Sequence, residues 1–188
     1  MVEIVRSSYD DGLRVVAFME PVCRVAYSNT KYDIKPEYYS LDVLSAPKQL
    51  DGISRGLENR VDQLALLALD DGEIVGTVSL RRADDFYFLQ NFYVALDRQG
   101  TGLGSQLLRE VLAFYDQTLP IRLNTAETNE QAISIYRQWG FVERRDLGVR
   151  VSRWDEWPAG VSNGYIYMDL STEGAGRLKR KRNLESKV

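Results

Sequence analysis

Residues 86–115, "FYFLQNFYVALDRQGTGLGSQLLREVLAFY", join three signals that together allow few local architectures. The aromatic run at 86–94 forms strand readily. Gly100, Gly102 and Gly104 follow at alternate positions. Behind them Leu107, Leu108, Val111, Leu112 and Tyr115 fall on one stripe of a helix expected over 103–117. Strand, glycine turn and helix in that order leave the first backbone N–H groups of the helix without partners, with the positive end of its dipole behind them. Glycine has no Cβ, so a ligand can come close to that main chain. The arrangement suits a phosphate, although a tight structural turn would use the same residues.

Spacing narrows the ligand. Counting from Gly100, a dinucleotide fingerprint needs a third glycine where Ser105 stands. A mononucleotide loop needs Lys and then Ser or Thr after its last glycine, whereas Ser105 and Gln106 follow Gly104. A pyrophosphate held by another compact loop remains. Downstream, Asn129 and Tyr136 are seven residues apart, which on a helix places them within about 20° of each other and roughly 10 Å apart along its axis. Ala132 lies between them, leaving an amide, a gap and a phenol in line. An elongated ligand could lie there, and a half-buried tyrosine beside a helix-start asparagine would read the same way.

The rest of the chain is an alternation of strands and helices. Residues 2–6 read as a first strand, 13–27 as a helix interrupted by Pro21, and 47–60 as a short helix whose Leu50, Ile53 and Leu57 share a face. "QLALLAL" and "EIVGTVSL" read as antiparallel strands joined at Asp71-Gly72, with Gly76 marking a bulge or a close backbone approach. "PIRLN" is a strand. Thr128 and Gln131 fit a capping box for a helix over 129–139 that Gly140 closes. "FVERRDL" begins another strand and "YIYMDL" at 165–170 is the last, and between them "RWDEWPAG" is an insertion whose Trp154 and Trp157 anchor a surface loop or cover a pocket.

With no histidine and one cysteine, Cys23, the chain has no imidazole base, no Ser–His–Asp triad, no histidine or thiolate-rich metal site and no internal disulfide. No metal is expected. Cys23 between Val22 and Val25 reads as a buried, inert thiol. Residues 171–188 carry six Lys or Arg against two Glu, or +4, which leaves 18 basic and 25 acidic groups, or −7, over the first 170. One domain over 1–170 with a basic, poorly ordered tail is expected, nucleic-acid contact by that tail being the less favoured reading. The opening residues lack a basic stretch followed by an apolar run and no 18-residue apolar stretch occurs, so the expectation is a cytoplasmic chain with no membrane contact.

Taken together, these residues resemble the GCN5-related N-acetyltransferase family, which moves an acetyl group from acetyl-coenzyme A to an amine. Its phosphate loop, Gln/Arg-x-x-Gly-x-Gly/Ala, is matched by Gln99, Gly102 and Gly104, after the strand "LQNFYV". Its later signature is similar to "TNEQAISIYRQWGF", through Asn129, Ala132, Tyr136, Gly140 and Phe141, so the match spans about 63–143. The resemblance implies an α/β (α+β) fold with a central mixed, mostly antiparallel twisted sheet flanked by helices. It implies that the backbone of Tyr93 and Val94 pairs with the pantetheine arm, and that the amides of Gln99, Gly100, Thr101, Gly102, Leu103 and Gly104, with Ser105, hold the pyrophosphate. Asn129 would bond the cofactor arm, and Tyr136 would be the general acid beside the sulfur, in direct transfer to a small-molecule or peptide amine. Residues 1–60 would line the acceptor side, with tyrosines 27, 32, 38 and 39 available for it.

Many relatives carry a glutamate on the strand before the loop, where this chain has Gln90 and Asn91. That leaves a distant carboxylate such as Glu127 acting through water, an acceptor of low pKa, or a binding protein that keeps the coenzyme A cleft without turnover. The acidic body suits a cationic amine. Exposed aromatics in 154–167 would make a homodimer reasonable.

Overall fold

A computed structural model describes the backbone of residues 1–185 and the side chains of residues 1–179. The elements run β1 (Glu3–Arg6), α1 (Gly12–Tyr27), α2 (Leu41–Leu44), α3 (Pro47–Leu57), β2 (Gln63–Asp70), β3 (Glu73–Arg82) and β4 (Tyr87–Val94), then α4 (Leu103–Val111), β5 (Ile121–Ala126), α5 (Glu130–Gln138), β6 (Val142–Glu143), β7 (Arg150–Ser152), β8 (Asn163–Leu170) and α6 (Thr172–Glu185). The eight strands form one sheet in the order β1-β2-β3-β4-β5-β8-β6, with β7 on the same edge of β8 as β6. Every pairing is antiparallel except β4 with β5.

Alternation along the strands gives the sheet two apolar faces, each with its own helices. Leu66, Val78, Leu80, Tyr87, Leu89, Ile121, Leu123 and Met168 pack under α4, α5 and α6. Leu67, Leu69, Ile74 and Tyr93 face the other way, against α1, α3 and Trp157 of the insertion. Both readings of Gly76 hold. The β2–β3 register shifts at Ala68/Leu69, opposite Gly76, and a Cβ on Gly76 would lie 2.7 Å from Leu107 Cδ1 of α4.

Four local expectations need correction. Pro21 does not interrupt α1, because Pro21 and Ala17 are both exposed and the carbonyl left without a donor faces water. Helix α4 ends at Val111 rather than near 117; Ala113, Phe114 and Tyr115 continue as tight i to i−3 turns that still bury Tyr115. Of "FVERRDL" only Val142–Glu143 is strand, followed by a 3-10 turn at Arg145–Leu147, and β7 carries no periodic signal at three residues. The tail is helical over Thr172–Glu185. Its small residues let it lie close, since a Cβ on Gly174 would sit 2.6 Å from Leu170 Cδ1, while Ala175 is buried and Lys179 Nζ donates to the Tyr115 carbonyl at 2.6 Å. The side chains of 180–188, with most of the basic run, lie outside the described residues.

Candidate active site

A fork in the sheet provides the framework. Strands β4 and β5 pair only at Tyr87 with Ile121 and Phe88 with Arg122, and beyond these they part. From Leu89 to Val94 one edge of β4 therefore has no strand partner, while β3 holds the other. Along this open stretch the β3–β4 register shifts between Thr77/Tyr93 and Ser79/Gln90, and Asn91 takes a left-handed φ of 50°. The Asn91 carboxamide is packed against α3, where a Cβ on Gly56 would fall 2.2 Å from Asn91 Nδ2.

At the end of β4 the glycine loop turns back into α4. Gly100 and Gly102 have φ of 76° and 91°, and beyond their chain neighbours no described atom lies within 4 Å of where a Cβ would stand on either. Their outer surface is open. Among the described residues no acceptor receives the N–H groups of Gln99, Gly100, Gly102, Leu103, Gly104 or Ser105. Thr101 departs from the expected set, because its amide is turned inward to the Arg98 carbonyl at 3.4 Å and its hydroxyl donates to the same oxygen at 2.7 Å. Arg98 is in turn fixed to Asp70 at 2.7 Å. Gln99 spans the loop, donating to the Val94 carbonyl at 3.2 Å and accepting from Gln131 at 3.1 Å.

Helix α5 supplies the second wall. Its N-cap is Asn129, whose Oδ1 accepts from the Ala132 N–H at 3.1 Å, while Nδ2 has no partner among the described residues. The expected capping box does not form: Thr128 Oγ1 is buried with no hydrogen bond among the described residues, and Gln131 reaches Gln99 instead. One helical face carries Asn129, Ala132 and Tyr136, as the spacing requires. The Tyr136 ring packs 5.9 Å from Trp139 and 5.8 Å from Phe141, and Trp139 stacks on Phe92 of β4 at 5.6 Å. Phe92 and Trp139 thus bridge the fork on its α4 side, a role that no spacing in the sequence announces. No described residue hydrogen-bonds the Tyr136 hydroxyl, and burial pushes this phenol up to about 12, so it keeps its proton at neutral pH.

Residues 30–141 match the Acetyltransferase (GNAT) family. The chain belongs to this family. No sequence among the curated proteins matches it. Solved structures with the same fold include a GNAT-family acetyltransferase from Streptococcus pneumoniae, at TM-score 0.57 and 20% identity over 91% of this chain and 100% of that one. PaiA N-acetyltransferase from Thermoplasma acidophilum, in complex with coenzyme A, aligns at 0.58 and 21% over 90% and 99%. Spermidine N-acetyltransferase from Vibrio cholerae, in complex with CoA and spermine, aligns at 0.58 and 18% over 93% and 97%. Among the described residues of this GNAT chain there is no cluster suited to a metal ion, and no helix long and apolar enough to cross a membrane.

On the other face of the fork the GNAT chain packs tyrosines. Tyr27 and Tyr93 share a hydrogen bond at 3.1 Å, Tyr27 lies 5.2 Å from Tyr39 and 6.5 Å from Tyr165, and desolvation raises all four phenols above their ordinary value. Cys23 lies in this cluster, its thiol pushed up to about 12 by burial against a weaker opposing hydrogen bond with Tyr93, which removes it as a nucleophile at neutral pH. Of the tyrosines assigned by position to the acceptor side, Tyr27 and Tyr39 belong to the cluster. Tyr32 Oη donates to Glu127, and the Tyr38 carbonyl accepts from Trp157 Nε1 at 2.8 Å. Glu127, the distant base candidate, also pairs with Lys31 at 2.9 Å. The insertion turns inward: Trp157 is buried and stacks with half-buried Trp154 at 5.3 Å, while Lys48 and Gln49 of α3 hold Asp155 and Glu156. The aromatics of 154–167, expected to be exposed, are buried at Trp157 and half-buried at Trp154, Tyr165 and Tyr167.

Proposed function

We propose that the protein transfers an acetyl group from acetyl-coenzyme A to a primary amine by direct attack within a ternary complex. The observation that carries this reading is the open β4–β5 fork ending in a glycine loop whose N–H groups find no acceptor among the described residues. A pyrophosphate fits that loop chemically: among the described residues the N–H donors at Gln99, Gly100 and Gly102 and in the first turn of α4 are unpaired, and no side chain covers Gly100 or Gly102. The open edge of β4 at Tyr93 and Val94 suits an extended amide-bearing arm, as an added strand would. Asn129 Nδ2 remains as a donor toward the same arm. Coenzyme A, when bound, supplies the acetyl thioester; the rest of the chemistry is the work of protein groups.

Tyr136 holds a proton on Oη at neutral pH and is the donor for a sulfur leaving group, its hydroxyl uncommitted to any described residue. The base side is sparse. Gln90 and Asn91 cannot take a proton, and Glu127 is committed to Lys31 and Tyr32. An alkylamine with a pKa near 10.4 lies about 3.4 units above pH 7, a deprotonation cost of roughly 4.6 kcal/mol, whereas an α-amine near 8 lies about 1 unit above it, roughly 1.4 kcal/mol. The chain is therefore suited to an amine of low pKa that needs little help. Relatives of this fold that act on amines, such as the spermidine N-acetyltransferase, support the amine as the acceptor group.

The deciding experiment measures coenzyme A binding by calorimetry and thiol release from acetyl-coenzyme A across a panel of α-amines and alkylamines. Release with α-amines, and a kcat/KM that tracks only the ionisation of the substrate amine, is expected. Binding without release from any amine would leave a coenzyme A-binding protein in place of an enzyme, and absence of binding would end both readings.

A further inference from the structure

The face of the sheet that carries α1 and α3 has a solvent-open cavity of about 360 Å³ at the foot of the fork. Its walls include Arg81, Arg122, Arg150, Phe86, Phe88 and Tyr167. Register brings them together. Arg81 stands opposite Phe88 across β3–β4, and Phe88 opposite Arg122 across β4–β5, so all three share a face. Tyr167 faces Asn124 one pleat further along β5, and Arg150 joins from β7, opposite Tyr165.

Three guanidinium groups line this hollow, and no carboxylate does. Arg122 is held by Asp169 at 2.7 and 2.8 Å and lies 4.6 Å over the Phe86 ring. Arg81 and Arg150 are different: among the described residues neither guanidinium has a hydrogen bond or an ion pair. Nearby arginines on this edge are paired, Arg144 with Asp146 and Asp169, and Arg137 and Arg145 with Glu143. Two unpaired planar cations over an aromatic floor match the lone pairs of a carboxylate or a phosphate, which an arginine can meet through two parallel bonds. The local charge is opposite to that of the chain as a whole, which carries −3.

Phe88 is three residues from the bulged Asn91, or about 10 Å along the strand. We propose that the acceptor amine reacts where β4 opens at the Asn91 bulge, and that this cavity binds an oxyanion, carboxylate or phosphate, borne by the acceptor about 10 Å from that amine. The inference rests on the transferase reading above and adds the acceptor class to it. A tripeptide fits the span, since three extended residues cover about 10 Å between an α-amine and a terminal carboxylate.

The test compares triglycine, its C-terminal amide, diglycyl-aminomethylphosphonate and diglycyl-diaminoethane as acceptors. The expected result is a kcat/KM at least about 10-fold higher for the two oxyanion-ended compounds than for the neutral and cationic ones, their ratio telling carboxylate from phosphate chemistry. In an Arg81→Gln/Arg150→Gln protein with an unchanged melting temperature, that preference should vanish through KM, with kcat retained. Equal use of all four compounds, or a preference that survives the double substitution, overturns the inference while leaving the transferase reading intact. If no amine releases thiol, the transferase reading fails, and calorimetry with triglycine on the coenzyme A-saturated protein still decides the cavity: saturable binding lost in the double variant supports it, and no binding overturns it.

Discussion

On the loop side of the fork, what matters is main chain: two glycines at positive φ, a row of unpaired N–H groups and an open strand edge. On the α1–α3 side it is side chains, with four tyrosines, Cys23 and two tryptophans packed from segments far apart in sequence. The first region tolerates changes in most side chains, provided that the backbone keeps its shape. The second depends on shape and on the exclusion of water. A surface made of main chain can be built from few residues close in sequence, whereas a wall made of packed side chains has to be assembled from many segments. The two meet across the shared sheet, where α4 packs on β2, β3 and β4 from one side and α1 and α3 pack on β2, β3 and β4 from the other.

The largest test of that separation is Trp157→Ala. Trp157 is 3% exposed, packs on Tyr39 at 5.5 Å and donates to the Tyr38 carbonyl. Its removal should lower unfolding free energy by about 3–5 kcal/mol, measured in urea, while coenzyme A affinity of the folded fraction stays within about twofold. A parallel fall in affinity would mean that the two sides are one unit. Next in size is Tyr136→Phe, which removes a hydroxyl with no described partner. A fall in kcat of about 100-fold or more is expected, with coenzyme A affinity and melting temperature unchanged; an unaltered kcat would strip Tyr136 of its role as proton donor.

Alkaline pH separates the regions by a different route. Tyr27, Tyr39, Tyr93 and Tyr165 all have folded-state pKa values above the ordinary phenol value, chiefly through desolvation. The unfolded chain therefore gives up these protons first. Their contribution to stability is complete below about pH 10 and is lost as pH rises toward the folded-state values, by up to about 1.4 kcal/mol per pH unit for each phenol. Denaturant titrations at about pH 9 and pH 11 should show the decline. A Tyr27→Phe/Tyr93→Phe protein should show a shallower one, and an identical slope would mean that those phenols ionise freely in the folded state.

This difference also governs what the sequence discloses. Gly76, the alternate glycines and the Asn129–Tyr136 spacing are local patterns, and each lands where its spacing puts it. Tyr27 meeting Tyr165, or Lys48 holding Asp155, depends on contacts more than one hundred residues apart along the chain, which no window can register. Helix α6 was hidden for another reason. Its buried residues among those described are Gly174, Ala175 and Gly176, so close approach takes the place of an apolar stripe there. Arg81 and Arg150 read as ordinary surface charges until β3 and β7 are laid on one face of the sheet. The capping box failed because two residues could cap the same helix: Asn129, one position further on, closes the N-terminus and frees Gln131 for the glycine loop.

The loop itself can be divided one step further. Gly102 is the N-cap of α4 at φ 91°, so Ala there would be forced into the left-handed region at about 1–2 kcal/mol, or would drag the loop out of shape. Coenzyme A affinity should fall by roughly 10-fold, since the strain acts on the N–H groups that would meet the pyrophosphate. Gly104 looks equivalent in the sequence but lies inside α4, where a Cβ would make ordinary contacts, 3.6 Å from Val94 and 3.9 Å from Trp139. Ala at 104 gains helix propensity of up to about 1 kcal/mol without strain, so binding should stay within about twofold and the melting temperature should hold or rise. If instead Gly104→Ala weakens binding as much as Gly102→Ala, the third glycine is needed for ligand approach and not for backbone shape, and the N–H groups of the first helical turn, more than those of the loop before it, carry the affinity.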